Sequence, residues 1–436
     1  MNDPNPLKPK RSRCQFSQVM LMLVGLCVLS GCRPSTDEQA KPSEPKQVEL
    51  SKEQQAIDSF NRDGDHAMID ETNWEASALA GQIAYQQGRY GDAAKSFKMA
   101  IEEAEKSGVG DERLAGNLNG LAIVYRAQAK YAEAESLYRR ALAIQEKALG
   151  PEHLYVGMTL NNLAGFFYVQ GKYAEAEPLY RRTLAIYEKT WGPENPDVAM
   201  TFDNLAGVCL ALGNDAEAER LYHQALSIME KAWGPEDPEL AKCLNNLARL
   251  YHIQGKHTEA EPLYERSLAI GQKVLGPEHP DLAPRLHNLA ILYGLLGKYA
   301  EAESLYKRSL AIYEKALGPE HPDVAMAHNE LAWLYATCTE AGLRDGRKAV
   351  EHGTQACDLT RWTEANYLGT LGAAYAEAGQ FEEAVKWETK AIELAASEYD
   401  TAAADFRLEL YKAGKPYREE PEQAGQTSGE DRPDEQ

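Results

Sequence analysis

The chain has 436 residues and a formal net charge of −21 at pH 7, from 67 acidic and 46 basic residues. This length allows a long repeat array or two to three ordinary domains. A surface this acidic argues against a nucleic-acid backbone as the partner and is typical of a solubilising surface.

The first element in the chain is a predicted signal peptide at residues 1–31. A basic stretch at 8–13 precedes an apolar run at 19–29 that is too short to cross a membrane. The run leads into Leu-Ser-Gly-Cys, which ends at Cys32 and resembles a bacterial lipobox. The resemblance implies cleavage before Cys32 and lipid on its sulfur. The alternative is an uncleaved anchor or an ordinary signal peptide.

Residues 32–72 are predicted to be a lipidated cysteine followed by a disordered tether. The stretch 33–52 is rich in Pro, Ser, Glu, Lys and Gln and has almost no apolar side chain to bury. A flexible coil of about 20 residues reaches roughly 25 Å. With the lipobox, this places the chain in a bacterial cell envelope, on its periplasmic or outer-membrane face.

From residue 73 to 397 the sequence repeats with a constant step of 42 positions (163 − 121 = 42). The clearest series is a leucine followed in all six cases by alanine: Leu121, Leu163, Leu205, Leu247, Leu289 and Leu331. A tyrosine series and a Gly-Pro series keep the same step. A fixed period between 20 and 50 residues is the signature of a solenoid.

Each period predicts two helices, and the unit around Leu247 shows both. The first has apolar residues at i, i+3, i+4 and i+7: Leu244, Leu247, Ala248 and Tyr251. The second has its own stripe: Ala260, Tyr264, Ser267 and Leu268. Gly255 turns the chain between them, and Gly276-Pro277 ends the second helix.

These residues resemble tetratricopeptide repeats, specifically the 42-residue type of kinesin light chains. The pattern is Leu-Ala, Gly-Lys-Tyr, Leu-Tyr and Ala-Leu-Ala-Ile. The resemblance implies an all-α fold, a right-handed superhelical solenoid of about eight helix-turn-helix repeats. After the solenoid we expect a capping helix at 398–412 and a disordered acidic tail at 413–436. In the seventh unit, the helix turn gains about five residues (337–342).

The sequence predicts no catalytic residue, no metal site and no cofactor. It has no nucleophile elbow, phosphate-binding loop, dinucleotide fingerprint or zinc motif. His153, His279 and His321 recur between units but are too widely spread for one metal. Four cysteines follow Cys32, and we predict that they are free thiols.

A polar series lies beside the leucine stripe of the first helices. Asparagine precedes the leucine in four units: Asn162, Asn204, Asn246 and Asn288. A second series of mainly asparagines lies one residue earlier. Asparagine is a poor helix former, so this ladder needs an explanation. Two interpretations stay open: the amides bond to each other or to backbone between repeats, or they bind a ligand.

The resemblance implies that first helices line a concave groove that holds a peptide. By position, the groove comprises Lys242, Asn246 and Arg249, extended by Asn162, Asn204 and Asn288. Met158, Met200 and Met326 take the place of Lys242 in other units, which predicts a mostly apolar, amide-lined groove.

We therefore expect a membrane-anchored, non-enzymatic scaffold for an unidentified protein or peptide. One alternative is a component of an envelope assembly, pilus or secretion machine. Another is an enzyme with a cryptic site, because missing motifs do not exclude catalysis.

Overall fold

The computed structural model describes residues 73–107, 111–394, 401–419 and 421. Within these residues the chain consists of helices joined by short turns, so the predicted all-α fold of tandem repeats is confirmed. The signal peptide, Cys32 and the tether lie outside the described residues.

Seventeen α-helices follow one another along this described part. The first eight are α1 Asn73–Gln86, α2 Tyr90–Ser107, α3 Asp111–Ala127, α4 Tyr131–Leu149, α5 Leu154–Val169, α6 Tyr173–Trp191, α7 Pro196–Ala211 and α8 Asp215–Trp233. The next nine are α9 Pro238–Ile253, α10 His257–Leu275, α11 Ala283–Leu295, α12 Tyr299–Leu317, α13 Pro322–Thr337, α14 Gly346–Leu359, α15 Ala365–Glu377, α16 Phe381–Leu394 and α17 Thr401–Lys412. A 3₁₀ turn, Pro280–Leu282, precedes α11. In chain order they form eight helix-turn-helix repeats, and α17 lies in the span predicted for the capping helix.

The chain divides into two compact units, Met1–Leu221 and Tyr222–Gln436, with the boundary inside α8. In each unit the predicted stripes are buried. The repeat around Leu247 has seven buried stripe residues: Leu244, Leu247, Ala248, Ala260, Tyr264, Ser267 and Leu268. Tyr251, the eighth, is half-buried. Alanine repeatedly faces tyrosine, so the helices of a pair approach closely.

The turn inside every repeat except the seventh is a Schellman motif. After α5, Gly171 N donates to Tyr168 O and Lys172 N donates to Phe167 O, both at 3.0 Å. Gly171 has a φ of +72°, which glycine adopts without strain. The Lys172 ammonium lies 5.6 Å from the Phe167 ring centroid, so a cation–π contact closes the motif.

The loop between repeats solves the opposite problem, the free N–H groups at a helix start. Asn195 Oδ1 accepts from Asp197 N at 2.7 Å, and Asp237 Oδ1 accepts from Glu239 N at 2.8 Å. The recurring histidines are N-caps of the same kind: Nδ1 accepts from the backbone N–H two residues ahead at 3.2 Å in His153, His279 and His321. All three residue types offer an acceptor at that distance, which explains their interchange.

One prediction differs from the structure. Residues 413–436 were expected to be a disordered tail, but residues 413–419 fold against the second unit. Arg418 Nη2 lies 2.5 Å from Glu377 Oε2, and Glu419 N donates to Thr337 O at 3.0 Å. Tyr417 packs against the core of this unit. The composition of the segment is polar, but its few specific contacts are enough to order it.

Helix α17 is held by a buried ion pair. Arg407 Nη2 lies 2.8 Å from Oε1 of Glu388, which is fully buried on α16. Removing one partner of such a pair leaves an uncompensated charge in the interior, which is far more costly than losing a surface pair. The last helix is therefore fixed to the eighth repeat by more than apolar contact.

Two reciprocal substitutions test the turn. Ala129 occupies the glycine position of the Schellman turn in the second repeat, with a φ of +57°. Because an L-residue is strained there, Ala129→Gly should raise the free energy of unfolding by about 1 kcal/mol. Gly171→Ala should lower it by about the same amount, since a Cβ there meets no atom within 4 Å and only the backbone is affected. Urea unfolding followed by circular dichroism measures both, and shifts of the same sign would contradict this account.

Candidate functional site

The six predicted groove residues lie on first helices, in two separately described units, and the four asparagines among them occupy equivalent positions of the repeat. Asn162 on α5 and Asn204 on α7 belong to the first unit. The second unit holds Lys242, Asn246 and Arg249 on α9 and Asn288 on α11. Their role in ligand binding stays a prediction.

The amides bond between adjacent repeats within each unit. Asn162 Nδ2 donates to Asn119 Oδ1 at 3.3 Å, and Asn288 Nδ2 donates to Asn245 Oδ1 at 3.3 Å. At these two steps the interpretation as a structural ladder is supported. Each bond uses one of the two N–H donors of the donating amide, Asn162 or Asn288. Structural and ligand-binding roles are therefore compatible.

Burial differs along the ladder. Asn162 is buried, whereas Asn204, Asn246 and Asn288 are half-buried. The leucine that follows each of these asparagines is buried. These three asparagines are therefore partly accessible on the first helices, and an amide can pair with an extended backbone without regard to its side chains.

The two basic residues of the predicted groove differ in their surroundings. Arg249 is exposed. Lys242 Nζ instead lies 2.8 Å from Glu239 Oε1, one turn earlier on the same helix. Because such partly exposed i,i+3 pairs contribute little, a ligand carboxylate can compete for Lys242 at low cost.

The seventh repeat departs from this pattern. Glu330 and Trp333 stand where Asn246 and Arg249 stand two repeats earlier (330 − 246 = 84). Burial raises the pKa of Glu330 to about 7, with Glu419 adding to the effect. Asn329 Nδ2 donates to Glu330 Oε1 at 3.2 Å. Sequence reasoning missed this site, although the insertion at 337–342 signalled that the repeat was unusual.

Two histidines meet in the same repeat. The Nδ1 atoms of His328 on α13 and His352 on α14 are 2.8 Å apart, so one ring donates and the other accepts. The Tyr335 ring stacks on His352 at 5.9 Å. Burial lowers the pKa of His328 to about 4, with His352 adding to the effect. Among the described residues, no cluster of three or more His, Cys, Asp or Glu side chains is arranged to hold a metal ion.

The four cysteines that follow Cys32 are free thiols, as predicted, and all are buried: Cys209, Cys243, Cys338 and Cys357. Burial raises the pKa of Cys209 to about 11 and that of Cys357 to about 12. Since the thiolate is the reactive form, these thiols are not nucleophiles at neutral pH. In the described part of the chain, no helix is both long and apolar enough to cross a membrane.

Comparison with protein families identifies the repeat. A tetratricopeptide repeat model matches six overlapping stretches: residues 74–147, 113–189, 155–231, 197–270, 239–315 and 286–361. A second tetratricopeptide repeat model matches residues 365–399. Together these matches cover well over half of the chain. A search of curated proteins found no match.

Solved structures with similar folds include a protein described as a kinesin light chain of Podospora anserina with nearly identical TPR-like repeats. It is 32% identical, with a TM-score of 0.41, and the match covers 48% of this chain and 97% of that one. The apo form of the quorum sensor NprR from B. thuringiensis is 13% identical, with a TM-score of 0.57, covering 78% and 92%. The apo form of RapI is 17% identical, with a TM-score of 0.51, covering 66% and 98%. At these identities NprR and RapI support the fold alone.

The histidine pair predicts that the second compact unit, Tyr222–Gln436, loses folding stability at acidic pH. With a folded pKa of about 4 and an ordinary value of 6.5, His328 binds fewer protons in the folded state between these pH values. The stabilisation that it contributes is therefore complete above pH 6.5 and falls as the pH drops toward 4. His328→Leu introduces the residue found one repeat earlier, Leu286. From pH 7 to pH 5 the parent should lose roughly 1–2 kcal/mol relative to this variant.

The measurement is urea unfolding of both proteins at pH 7, 6 and 5. The raised pKa of Glu330 acts in the opposite direction, since its folded form takes up a proton below pH 7. Both proteins carry Glu330, so its contribution cancels in the comparison. A stability difference that does not change with pH would contradict the role assigned to His328.

Proposed function

Because the chain belongs to the tetratricopeptide repeat family, we propose that it is a membrane-anchored scaffold whose first helices bind a segment of another protein. Proteins of this family are typically non-enzymatic scaffolds that bind protein or peptide partners, and we infer the same here. Lipid on Cys32 anchors the scaffold at the cell envelope, and the tether at 32–72 separates the repeats from the membrane.

One observation carries the binding proposal: asparagines remain half-buried in the middle of helices whose neighbouring leucines are fully packed. Asparagine at such positions lowers helix stability relative to alanine or leucine. A purely structural ladder would gain most from complete burial of its amides, as at Asn162. At Asn246 and Asn288 the amides stay accessible, and this favours a second use of the same groups.

The chemistry of this face indicates the kind of ligand. Amides donate and accept, so they pair with the backbone of an extended peptide. Arg249, with Lys242 released from Glu239, supplies positive charge for one carboxylate. Met200 and Met326 take the Lys242 position elsewhere and are partly exposed, and methionine adapts to varied apolar side chains. The proposed ligand is therefore an extended segment of mixed apolar and polar character, not a strongly acidic one.

A role in envelope assembly, pilus biogenesis or secretion differs from this proposal only in the identity of the partner. A pull-down from detergent-solubilised membranes, with the full chain as bait, supplies that partner. The same experiment provides the binding assay for the variants below.

The first prediction here concerns the groove. The combined variant Asn204→Ala, Asn246→Ala and Arg249→Ala should weaken binding of the captured partner at least tenfold, because it removes two amides and the exposed guanidinium. Glu259→Ala with Val274→Ala is the matched control, since both residues are exposed on the second helix α10. Unfolding in urea is compared in parallel. Unchanged affinity in a folded triple variant refutes the groove, whereas loss of stability alone supports the structural ladder.

The second prediction concerns the anchor. Cys32→Ala removes the thiol that would carry diacylglycerol, so metabolic labelling with a radioactive fatty acid should be lost. Any processed product should then appear in the soluble fraction, because acyl chains contribute about 0.8 kcal/mol per buried CH₂ to membrane binding. Cys14→Ala, inside the predicted signal peptide, is the matched control and should leave labelling intact. Labelling that persists in the Cys32 variant excludes the lipoprotein assignment.

A further inference from the structure

The C-terminal segment 415–419 lies against the seventh repeat, at the end of the face that carries the proposed groove. Trp333 and Glu330 on this face occupy the positions of Arg249 and Asn246. The Trp333 indole N–H donates to Glu419 Oε2 at 2.5 Å. The Tyr417 ring lies 5.9 Å from the Trp333 ring, centroid to centroid. The chain's own tail thus contacts the residue at the Arg249 position, one of the three positions predicted for a ligand.

The backbone of the seventh repeat explains why this place accepts a peptide. Its helix turn lacks the residue of positive φ that the other repeats have there, and no Schellman motif closes the end of α13. Two of the last four carbonyls are satisfied locally, by Cys338 N and Asp345 N. The other two take donors from the tail: Ala336 O from Arg418 Nη1 at 3.2 Å, and Thr337 O from Glu419 N at 3.0 Å.

A carboxylate completes the site. Glu377 at the end of α15 has a side chain that is only 14% exposed, and it lies 3.2 Å from Arg344 Nε. Arg418 Nη2 approaches the other oxygen of Glu377 to 2.5 Å. Charge-assisted hydrogen bonds of this kind, in a largely enclosed place, are stronger than pairs on an open surface. The site therefore accepts a guanidinium at Glu377 and an aromatic ring beside Trp333.

The segment continues toward the sixth repeat. Tyr299 Oη lies 3.5 Å from Glu419 O and 3.1 Å from Thr339 Oγ1. Pro421 approaches Gly297 in the α11–α12 turn. The tail thus crosses three successive repeats in the order opposite to the chain. This is the geometry of a peptide ligand more than that of a local cap.

We propose that the surface formed by Trp333, Glu377 and the end of α13 is a peptide-binding site, and that residues 417–419 are its built-in occupant. The partner segment that it accepts presents an aromatic residue, an arginine and an acidic residue in succession, as Tyr-Arg-Glu does here. This deepens the proposed function, on which it rests, by naming a site and the ligand chemistry. Partner binding requires displacement of the tail.

Because the tail is part of the same chain as its site, a partner peptide displaces it only with difficulty. Only residues 413–416 separate Tyr417 from α17, so the effective concentration of the tail at the site is in the millimolar range or above. A free peptide of the same sequence therefore competes poorly with the intact chain. It binds well only where the tail has been disabled.

The test uses the full chain and a fluorescent peptide with the sequence of residues 413–419. Tyr417→Ala with Arg418→Glu disables the tail, because it removes the aromatic ring and places a carboxylate beside Glu377. Fluorescence anisotropy should show peptide affinity at least tenfold higher for this variant than for the parent. Lys415→Ala is the matched control, since Lys415 is exposed in the same segment, and it should behave like the parent. Adding Trp333→Ala to the disabled tail should abolish the gain.

Two results overturn the proposal. In the first, the disabled variant keeps the thermal unfolding curve of the parent but binds the peptide no better. In the second, it loses the cooperative unfolding of its last repeats and peptide does not restore it, which makes the tail a structural cap alone. A captured partner that depends on Asn246 and Arg249 but is insensitive to the tail variants would leave the proposed function standing and refute this site.

Discussion

Every helix of this chain must satisfy the backbone groups left without a partner at its two ends, and the repeat is organised around that requirement. In every repeat except the seventh, a Schellman turn closes the end of the first helix. In the loops around His153, Asn195 and Asp237, a side-chain acceptor closes the start of the next first helix. His153, Asn195 and Asp237 perform the same task with different chemistry. The period of 42 residues follows from two helices of regular length and two turns of fixed construction.

Packing between the helices then needs only a simple rule. Small residues recur where helices approach, and one large aromatic residue fills the space beside them, as Ala260 and Tyr264 do. Where a residue departs from this pattern, the residue that packs against it also differs. Gly271 leaves room in α10, and the buried Arg285 of α11 fills it, with its Nη1 atom so near that a Cβ on residue 271 would clash with it. In the turn of the fourth repeat, Cys209 stands at the position of the aromatic Phe167. Asn214 stands at the position of Lys172, the lysine that lies over that ring. These pairs keep the solenoid regular although single units vary.

Much of this fold could be predicted from the sequence, because the features that define it are periodic. The stripes around Leu247 and the glycine turns depend on contacts within one repeat or between neighbours, and spacing reveals such contacts. The tail could not be predicted in this way. Its order depends on Arg418 meeting Glu377 and on Glu419 meeting Trp333, and no local pattern links these residues. The asparagine ladder lies between these cases: its position was evident, but the bond between Asn288 and Asn245 needed coordinates.

The contacts of the tail also impose an order of events on synthesis. Arg418 lies 82 residues after Ala336, the carbonyl of which it satisfies. At about 5–20 residues per second, a ribosome needs roughly 4–16 s to cover that distance. Glu377 precedes Arg418 by only 41 residues (418 − 377 = 41), so all parts of the site other than the tail have been made for roughly the last 2–8 s of this interval. A partner that meets the chain before residues 417–419 have docked therefore has no competitor for this site.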